Sequence, residues 1–416
     1  MRAWVIEISD FLPQIDGDNR LYRAGFLANA LVGGGHEVLW WSSTFNHQLR
    51  RQRFSTSTTI RINDNYSVRL LYGPGYQNSK SITRWMHNRI IARGFAKEVS
   101  ALSPDKYPDI VYACLPTLEV SEQAVLFGKR KNIPVVIDIR EQYPDNYLKI
   151  APEYLRPTLR FLLMNEFARV RRILGNATAI TASSDAYLQW GLEIAKRKAG
   201  KNDRWFPLCP FIPPKGHNED VVLPKEIEAL ENNFIITFVG ALSRLNLDFE
   251  SVVRVAHDLN KVSPDVHFVF IGEGEQKTFL QKHAEQNANI HVMGWCNKPV
   301  VDRILASSSI GLAPYSLTLA PTLPNKPFEY MAAGLPLLSS LEGELKIIIE
   351  QEKIGLHYNA YHPDSLKGAI RWFLAHPEET KVMGQRAKAL FIERFNTDSV
   401  YSTYVEHLNH ISMSRK

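Results

Sequence analysis

The sequence predicts an α/β protein built from two doubly wound domains. Three observations lead there. The chain has 416 residues, and a single hydrophobic core rarely grows past about 250–300 residues. Apolar, β-branched runs alternate with segments of helical spacing through both halves. The alternation breaks once, at Phe206-Pro207-Leu208-Cys209-Pro210-Phe211-Ile212-Pro213-Pro214. Four prolines in eight residues fit neither a central strand nor a helix interior. The break places a hinge between a first domain of residues 1–210 and a second of residues 211–399.

In the first half, residues 3–8 read as a strand, followed by a loop over 11–19 and a helix over 21–32. Gly33-Gly34-Gly35 stops that helix, as glycine does at helix C-termini. Residues 37–41 give the second strand and complete a βαβ unit. Further strands are expected at 68–72, 110–113, 135–139 and 177–181, with helices at 81–102, 118–131 and 156–174. Near-continuous apolar strands of this kind suit a parallel sheet covered on both faces, so each half reads as Rossmann-like. The second half repeats the alternation. Strands are expected at 234–240, 267–271, 290–293, 310–313 and 335–339, with helices at 249–259, 276–286, 300–306, 327–333, 363–375, 377–395 and 400–411. Ligands of such folds bind at the carboxyl ends of the strands, so two domains of this type are expected to face one another across a cleft.

Composition narrows the function. Apolar residues make up 45% and charged residues 22% of the chain, which excludes a mainly disordered, collagenous or low-complexity protein. A net charge of +6 fits phosphates, acidic substrates or anionic lipid, and is too small to single out nucleic acid. Cys114, Cys209 and Cys296 are far apart and odd in number. They read as small buried hydrophobes in a reducing compartment, neither a disulfide framework nor a zinc site. No run approaches about 18 consecutive apolar residues, so no membrane-spanning helix is expected. The start of the chain reads as a strand because Glu7 and Asp10 interrupt its apolar run, unlike a signal peptide. A cytoplasmic protein is expected. Its thirteen histidines form no metal-ligand spacing, no GxSxG elbow is present, and nothing calls for a metal.

The strongest chemical signal is Pro324-Asn325-Lys326-Pro327-Phe328-Glu329-Tyr330-Met331-Ala332-Ala333-Gly334-Leu335-Pro336. Pro327 suits the first turn of a helix and Gly334 its end. The free N–H groups and positive dipole end of such a helix suit a phosphate, and Lys326 adds a point charge there. Glu329 can accept two hydrogen bonds from vicinal hydroxyls, or simply complement the dipole of a surface helix. In the first half, Asp138-Ile139-Arg140-Glu141-Gln142-Tyr143-Pro144-Asp145 follows a strand and places Asp138, Arg140 and Glu141 where ligands are expected. The other reading is a local ion pair between Arg140 and a neighbour. Asp16, Gly17 and Asp18 lie in the loop after the first strand, where Gly17 permits close backbone approach and Asp18 or Asn19 can cap the next helix. Gly272-Glu273-Gly274 lacks the third glycine of a dinucleotide fingerprint and reads as a tight strand-to-helix turn.

The 324–336 segment resembles the donor-nucleotide signature of retaining GT-B glycosyltransferases, in particular the family-4-like transferases of bacterial surface polysaccharides. The resemblance extends in order through Gly33-Gly34-Gly35-His36-Glu37-Val38, Phe238-Val239-Gly240-Ala241-Leu242-Ser243, Phe270-Ile271-Gly272-Glu273-Gly274, His291-Val292-Met293-Gly294 and Gly311-Leu312-Ala313-Pro314. It implies a hexosyltransferase that uses a nucleotide-diphosphate sugar, UDP rather than GDP, and no cofactor or metal. It implies that Glu329 holds the ribose, that Arg244 and Lys326 serve the diphosphate, and that Trp295 flanks the base. Gly240, Gly272, Gly294, Asn325 and Pro327 complete the donor site. It also implies that helix 400–416 packs back on the first domain. By the same resemblance Asp138 or Glu141 contacts the acceptor or the donor sugar, and the loop of Asp16, Gly17 and Asp18 lies near phosphates or acceptor.

The sequence departs from the family at two places. The loop cations are reduced to a shifted Arg244, with Asn246 at the usual lysine. Pro321 stands eight positions before Glu329, where the family often has another glutamate. A non-catalytic glycan-assembly protein with a degraded donor site, or a nucleotide-sugar 2-epimerase, would share the fold. Three groups of arginine and aromatic residues, at 50–53, 84–95 and 156–172, read as solvated helix faces or as a contact with an anionic membrane. Together they suggest a glycan or polyprenyl-linked acceptor at the cytoplasmic face of a membrane.

Overall fold

A computed structural model describes residues 1–17, 21–78, 81–208, 222–230, 232–317 and 323–414. Asp18, Asn19, Cys209 and Pro321, on which some of the expectations rest, lie outside the described residues. The chain divides into two compact units, Met1–Pro207 with Asp398–Lys416, and Leu208–Thr397.

The strands run, in chain order, β1 Arg2–Ile6, β2 Glu37–Ser43, β3 Phe45–Asn46, β4 Arg51–Gln52, β5 Thr58–Asn63, β6 Tyr66–Leu71, β7 Ile110–Leu115, β8 Val135–Ile139, β9 Ala179–Ala182 and β10 Arg204–Trp205 in the first unit. The second unit holds β11 Phe234–Val239, β12 Val266–Ile271, β13 Ile290–Gly294, β14 Ile310–Ala313, β15 Leu337–Ser339 and β16 Gly355–His357.

The main sheet of the first unit has the order β10-β9-β8-β7-β1-β2-β6-β5. Its pairings are parallel apart from β5 on β6. The chain winds outward from β1 through β2 and β6, then returns to β7 on the other side of β1. That reversal opens a crevice between the carboxyl ends of β1 and β7. Val5 is flanked by Trp40 on one side and Tyr112 on the other. One face of the sheet buries Trp4, Trp41, Phe95 and Phe127, with Trp4 stacked on Phe127 at 5.3 Å and edge-on to Trp41 at 5.3 Å. The other face receives helix Arg23–Gly33 and, from the chain's end, helix Thr397–Met413, whose Tyr404 ring stacks on Phe206 at 3.8 Å.

The second sheet, β13-β12-β11-β14-β15-β16, is parallel throughout and reverses between β11 and β14. Phe249 of helix Phe249–Val262 packs edge-on against Phe238 and Phe270 at 5.0 and 5.4 Å.

Several elements differ from expectation for identifiable reasons. Helix Arg23–Gly33 starts after Tyr22, which gives no side-chain cap, so neither Asp18 nor Asn19 is its N-cap. The helix expected over 156–174 is two, Arg156–Leu162 and Met164–Asn176, parted at Leu163 where ψ opens to 4°. Strand β5 alternates half-buried and exposed residues at the sheet edge, a period-two pattern that apolar runs alone do not reveal. Cys114 is buried as expected, while Cys296 is half-buried.

Candidate functional site

The candidate donor site of the second unit sits at the reversal between β11 and β14. Two loops and a helix meet there. The loop after β11 is stitched to the loop after β14 by an isolated bridge between Leu247 and Tyr315. Ser316 adds two bonds to it, its N–H donating to Asn246 O at 2.9 Å and its hydroxyl to Leu245 O at 2.7 Å. These contacts fix the loop that carries Arg244, whose side chain remains exposed.

The third part is helix Asn325–Ala333, which follows Pro324 with no side-chain cap. Among the described residues no side chain caps its first N–H groups, a helix start of the kind that suits a ligand. The helix begins two residues before the expected Pro327, which the first turn tolerates because those N–H groups have no intrahelical partner. Pro327 and Phe328 are buried, so they anchor the turn, while Asn325 is exposed. Tyr330 aims the helix. Its hydroxyl accepts from Val239 N–H at 3.0 Å and donates to Leu312 O at 3.1 Å, bridging β11 and β14. Tyr330→Phe leaves the Val239 N–H unpaired in the core and is expected to cost about 1–3 kcal/mol in a thermal or urea unfolding measurement.

Lys326 Nζ donates to Glu329 Oε1 at 3.1 Å, and both side chains remain partly open to solvent. The Lys326 stem lies over Gly240, where an added Cβ would come within 3.2 Å of Lys326 Cε. Burial, and then the charge of Glu329, pushes the phenol pKa of Tyr315 up. Gly240, Gly272 and Gly294 lie at the carboxyl ends of the neighbouring strands β11, β12 and β13. Gly240 N–H donates to Ile271 O at 2.9 Å and Gly272 N–H to Gly294 O at 2.7 Å. Trp295 is 70% exposed, so it is not a packing residue of the core. Its N–H donates to Glu273 Oε1 at 3.2 Å. Gly240, Arg244, Asn325, Lys326, Pro327 and Glu329 follow β11 or β14 at the reversal, whereas Gly272 follows β12 and Gly294 and Trp295 lie at the end of β13, two strands from β11.

Residues 222–390 match the family described as glycosyl transferases group 1. The second unit is a glycosyl transferase group 1 domain. Solved structures share the fold of the whole glycosyltransferase, which is GT-B. Sucrose-phosphate synthase from Thermosynechococcus elongatus is 15% identical over 99% of both chains, with a TM-score of 0.67. HepE from Anabaena in complex with UDP is 13% identical over 99% of this chain and 100% of its own, with a TM-score of 0.63. The E. coli trehalose-6-phosphate structure bound with UDP-2-fluoro glucose is 12% identical over 98% of this chain and 99% of its own, with a TM-score of 0.68. No curated protein matches the sequence.

In the first unit of the glycosyltransferase, the expected acidic residues separate by role. Asp138 does not face a ligand. It is fully buried, and its carboxylate pairs with Arg23 through Nε at 2.8 Å and Nη2 at 2.9 Å. Tyr112 OH donates at 2.8 Å and Thr181 Oγ1 at 3.0 Å, and Tyr404 OH lies 3.1 Å away. Burial alone would raise the Asp138 pKa; Arg23 and these donors outweigh it and hold it at about 2. The expected contact of Asp138 with acceptor or donor sugar is corrected to a structural role, because both oxygens are already satisfied inside the core.

Arg140 does not pair with its sequence neighbours either. It reaches the end of β1, where Nη1 meets Glu7 Oε2 at 3.1 Å and Nη2 meets Asp10 Oδ2 at 3.0 Å. Burial, then the like charge of Glu7, raises the Asp10 pKa against the pull of Arg140, to about 6. Asp16 is likewise taken up internally, by Arg53 at 2.7 Å through both Nε and Nη2. The φ of 72° at Gly17 ends the short turn Pro13–Asp16.

Glu141, by contrast, is exposed. It lines a cavity of about 540 Å³ at the carboxyl ends of β7 and β8, with Arg84, Trp85, Glu119, Tyr143 and Tyr147. Desolvation raises the Glu141 pKa, while Arg84 and Arg140 lower it. Carboxylates and an arginine among aromatic faces are the chemistry that holds sugar hydroxyls and ring C–H faces. Sequence reasoning missed Glu7, Asp10 and Arg84 as neighbours of this end of the sheet. The one available signal was acidic residues ending an otherwise apolar strand.

Proposed function

We propose that this glycosyltransferase moves a sugar from a UDP sugar to a polysaccharide or lipid-linked glycan, with retention of configuration. The observation that carries the reading is the start of helix Asn325–Ala333, uncapped among the described residues, with the Lys326–Glu329 pair over Gly240 at the strand reversal. Such a helix start attracts phosphate. In this reading Glu329 takes the ribose hydroxyls, Lys326 and Arg244 neutralise the diphosphate, and Trp295 lies against the base. HepE, with the same fold, binds UDP and UDP-glucose, which supports uracil as the base.

The acceptor hydroxyl attacks the anomeric carbon as the bond to the UDP oxygen breaks on the same face. The acceptor proton passes to the leaving diphosphate, whose charge Lys326, Arg244 and the helix start stabilise, so the reading needs no metal or cofactor. The cavity of Glu141, Tyr143 and Tyr147 receives the acceptor. The reading places the protein on the cytoplasmic face of an anionic membrane, in peripheral contact with it.

The test is release of UDP from UDP-glucose, UDP-galactose and UDP-N-acetylglucosamine by the full chain. One donor is expected to be consumed faster than the others, and Glu329→Ala is expected to slow it about 10- to 100-fold through lost charge-assisted hydrogen bonds. Equal slow release with and without Glu329 would contradict the assignment.

A further inference from the structure

One stretch of the first unit finds no core. From Lys149 to Met164 no side chain is buried, although the stretch contains helix Arg156–Leu162. Tyr154 is 79%, Phe161 72% and Leu162 70% exposed, and Ile150, Leu155 and Met164 are exposed with them. Isolated exposed hydrophobics are ordinary on protein surfaces; a run of six on one short segment is not. A second apolar group stands across the cavity, where Ile82, Trp85 and Met86 on the first turns of helix Ile82–Ser100 are exposed. The two groups belong to one surface, because Trp85 and Ile150 both line the cavity between them.

Charge accompanies the apolar groups. Lys149, Arg156 and Arg160 lie on the first segment, against the single acid Glu153. Arg89 stacks over Trp85 at 4.3 Å, and Arg160 over Phe167 at 5.2 Å. Apolar and aromatic side chains interleaved with arginine and lysine match a lipid interface, where rings and aliphatic chains enter the acyl boundary and cations meet anionic head groups. No described helix is long and apolar enough to cross a membrane, so the contact would lie in the plane of the interface.

We infer that the Ile150–Met164 segment and the first turns of helix Ile82–Ser100 dock on an anionic lipid interface. The inference rests on the reading of the cavity as the acceptor site, and gives that site a substrate class. An acceptor held in the interface by a lipid tail presents its polar head to Arg84, Glu141 and Tyr147, while its tail stays with the lipid. Phe161 and Leu162 do not line the cavity, so their role separates from the chemistry.

The test uses the full chain and flotation with vesicles of phosphatidylcholine alone or mixed with phosphatidylglycerol. The chain is expected to float with the anionic vesicles, to stay with buffer in the zwitterionic ones, and to be released by high salt. Phe161→Ser with Leu162→Ser is expected to weaken partitioning about tenfold or more, from the lost apolar insertion. Both sites are exposed, so the variant folds, and its stabilisation by UDP serves as the check. Vesicle binding without any UDP effect would sink the donor assignment and leave the docking surface standing. Three results would overturn the docking inference: no flotation with anionic vesicles, equal flotation of the double variant, or a wild-type dimer in solution that the double substitution dissociates, which would make a second copy the occupant.

Discussion

Asp138→Ala is expected to lower the stability of the first unit by about 3–5 kcal/mol, because it strands a buried guanidinium. Arg23 would lose both of its bonds to Asp138 while its Nη1 stays pinned to Phe206 O at 2.8 Å and Pro207 O at 3.2 Å. The same deletion unseats Tyr404, which is bonded to Thr181 Oγ1 at 2.6 Å and lies against Asp138. One carboxylate thus ties together β7, β8, β9, helix Arg23–Gly33 and the chain's final helix. Unfolding followed by tryptophan fluorescence reports mainly on this unit, which holds all of the chain's tryptophans except Trp295 and Trp372.

The pH dependence supplies an independent check on the same residue. The folded pKa of Asp138, about 2, lies below its ordinary value of 3.8. Its stabilisation is therefore complete above 3.8 and is lost as pH falls through about 2. Asp138→Asn is expected to remove that part of the acid slope. Asp10 works with the opposite sign. Its folded pKa of about 6 exceeds 3.8, so its contribution is complete below 3.8 and is lost as pH rises through about 6. Asp10→Asn is expected to flatten the stability profile in that second window only.

Gly272→Ala is expected to cost about 3 kcal/mol or more and to abolish nucleotide stabilisation. Gly272 has a φ of 143°, and an added Cβ would sit 1.9 Å from Gly240 O. That oxygen is backbone and cannot swing aside, so the turns after β11 and β12 would have to part. The donor loop carrying Gly240 would move with them, away from Lys326. Gly368 provides the contrast. It lies exposed in helix Pro363–Ala375, and an added Cβ would meet nothing within 4 Å. Gly368→Ala is expected to stabilise by about 0.5–1 kcal/mol through helix propensity alone. Thermal unfolding of the two variants, with and without UDP, measures both effects.

What the sequence reveals depends on whether the signal is local. Helix Leu118–Lys131, strand Ile110–Leu115 and helix Pro363–Ala375 follow from apolar periodicity and a proline start, and the structure places them within two residues of the reading. The gathering of Gly240, Arg244, Lys326 and Glu329 is legible too, because the first two follow β11 and the last two follow β14, and the fold brings carboxyl ends together. Asp138 misled for the converse reason. A carboxylate at a strand end looks exposed until its partners are known, and those partners lie 115 and 266 positions away, at Arg23 and Tyr404. Arg140 shows the same limit, since Asp10 is 130 positions distant. The helix Glu344–Glu352 and edge strand β16 went unread because both are short and weakly periodic.

The most direct test of the donor assignment is a thermal-shift titration of the full chain with UDP, GDP, CDP and dTDP. At about 100 times its dissociation constant a ligand adds about 2.7 kcal/mol to stability. UDP is expected to give the largest shift, and Glu329→Ala to remove it while leaving the unliganded midpoint close to wild type. No shift with any nucleotide, or a shift that survives Glu329→Ala unchanged, would contradict the account.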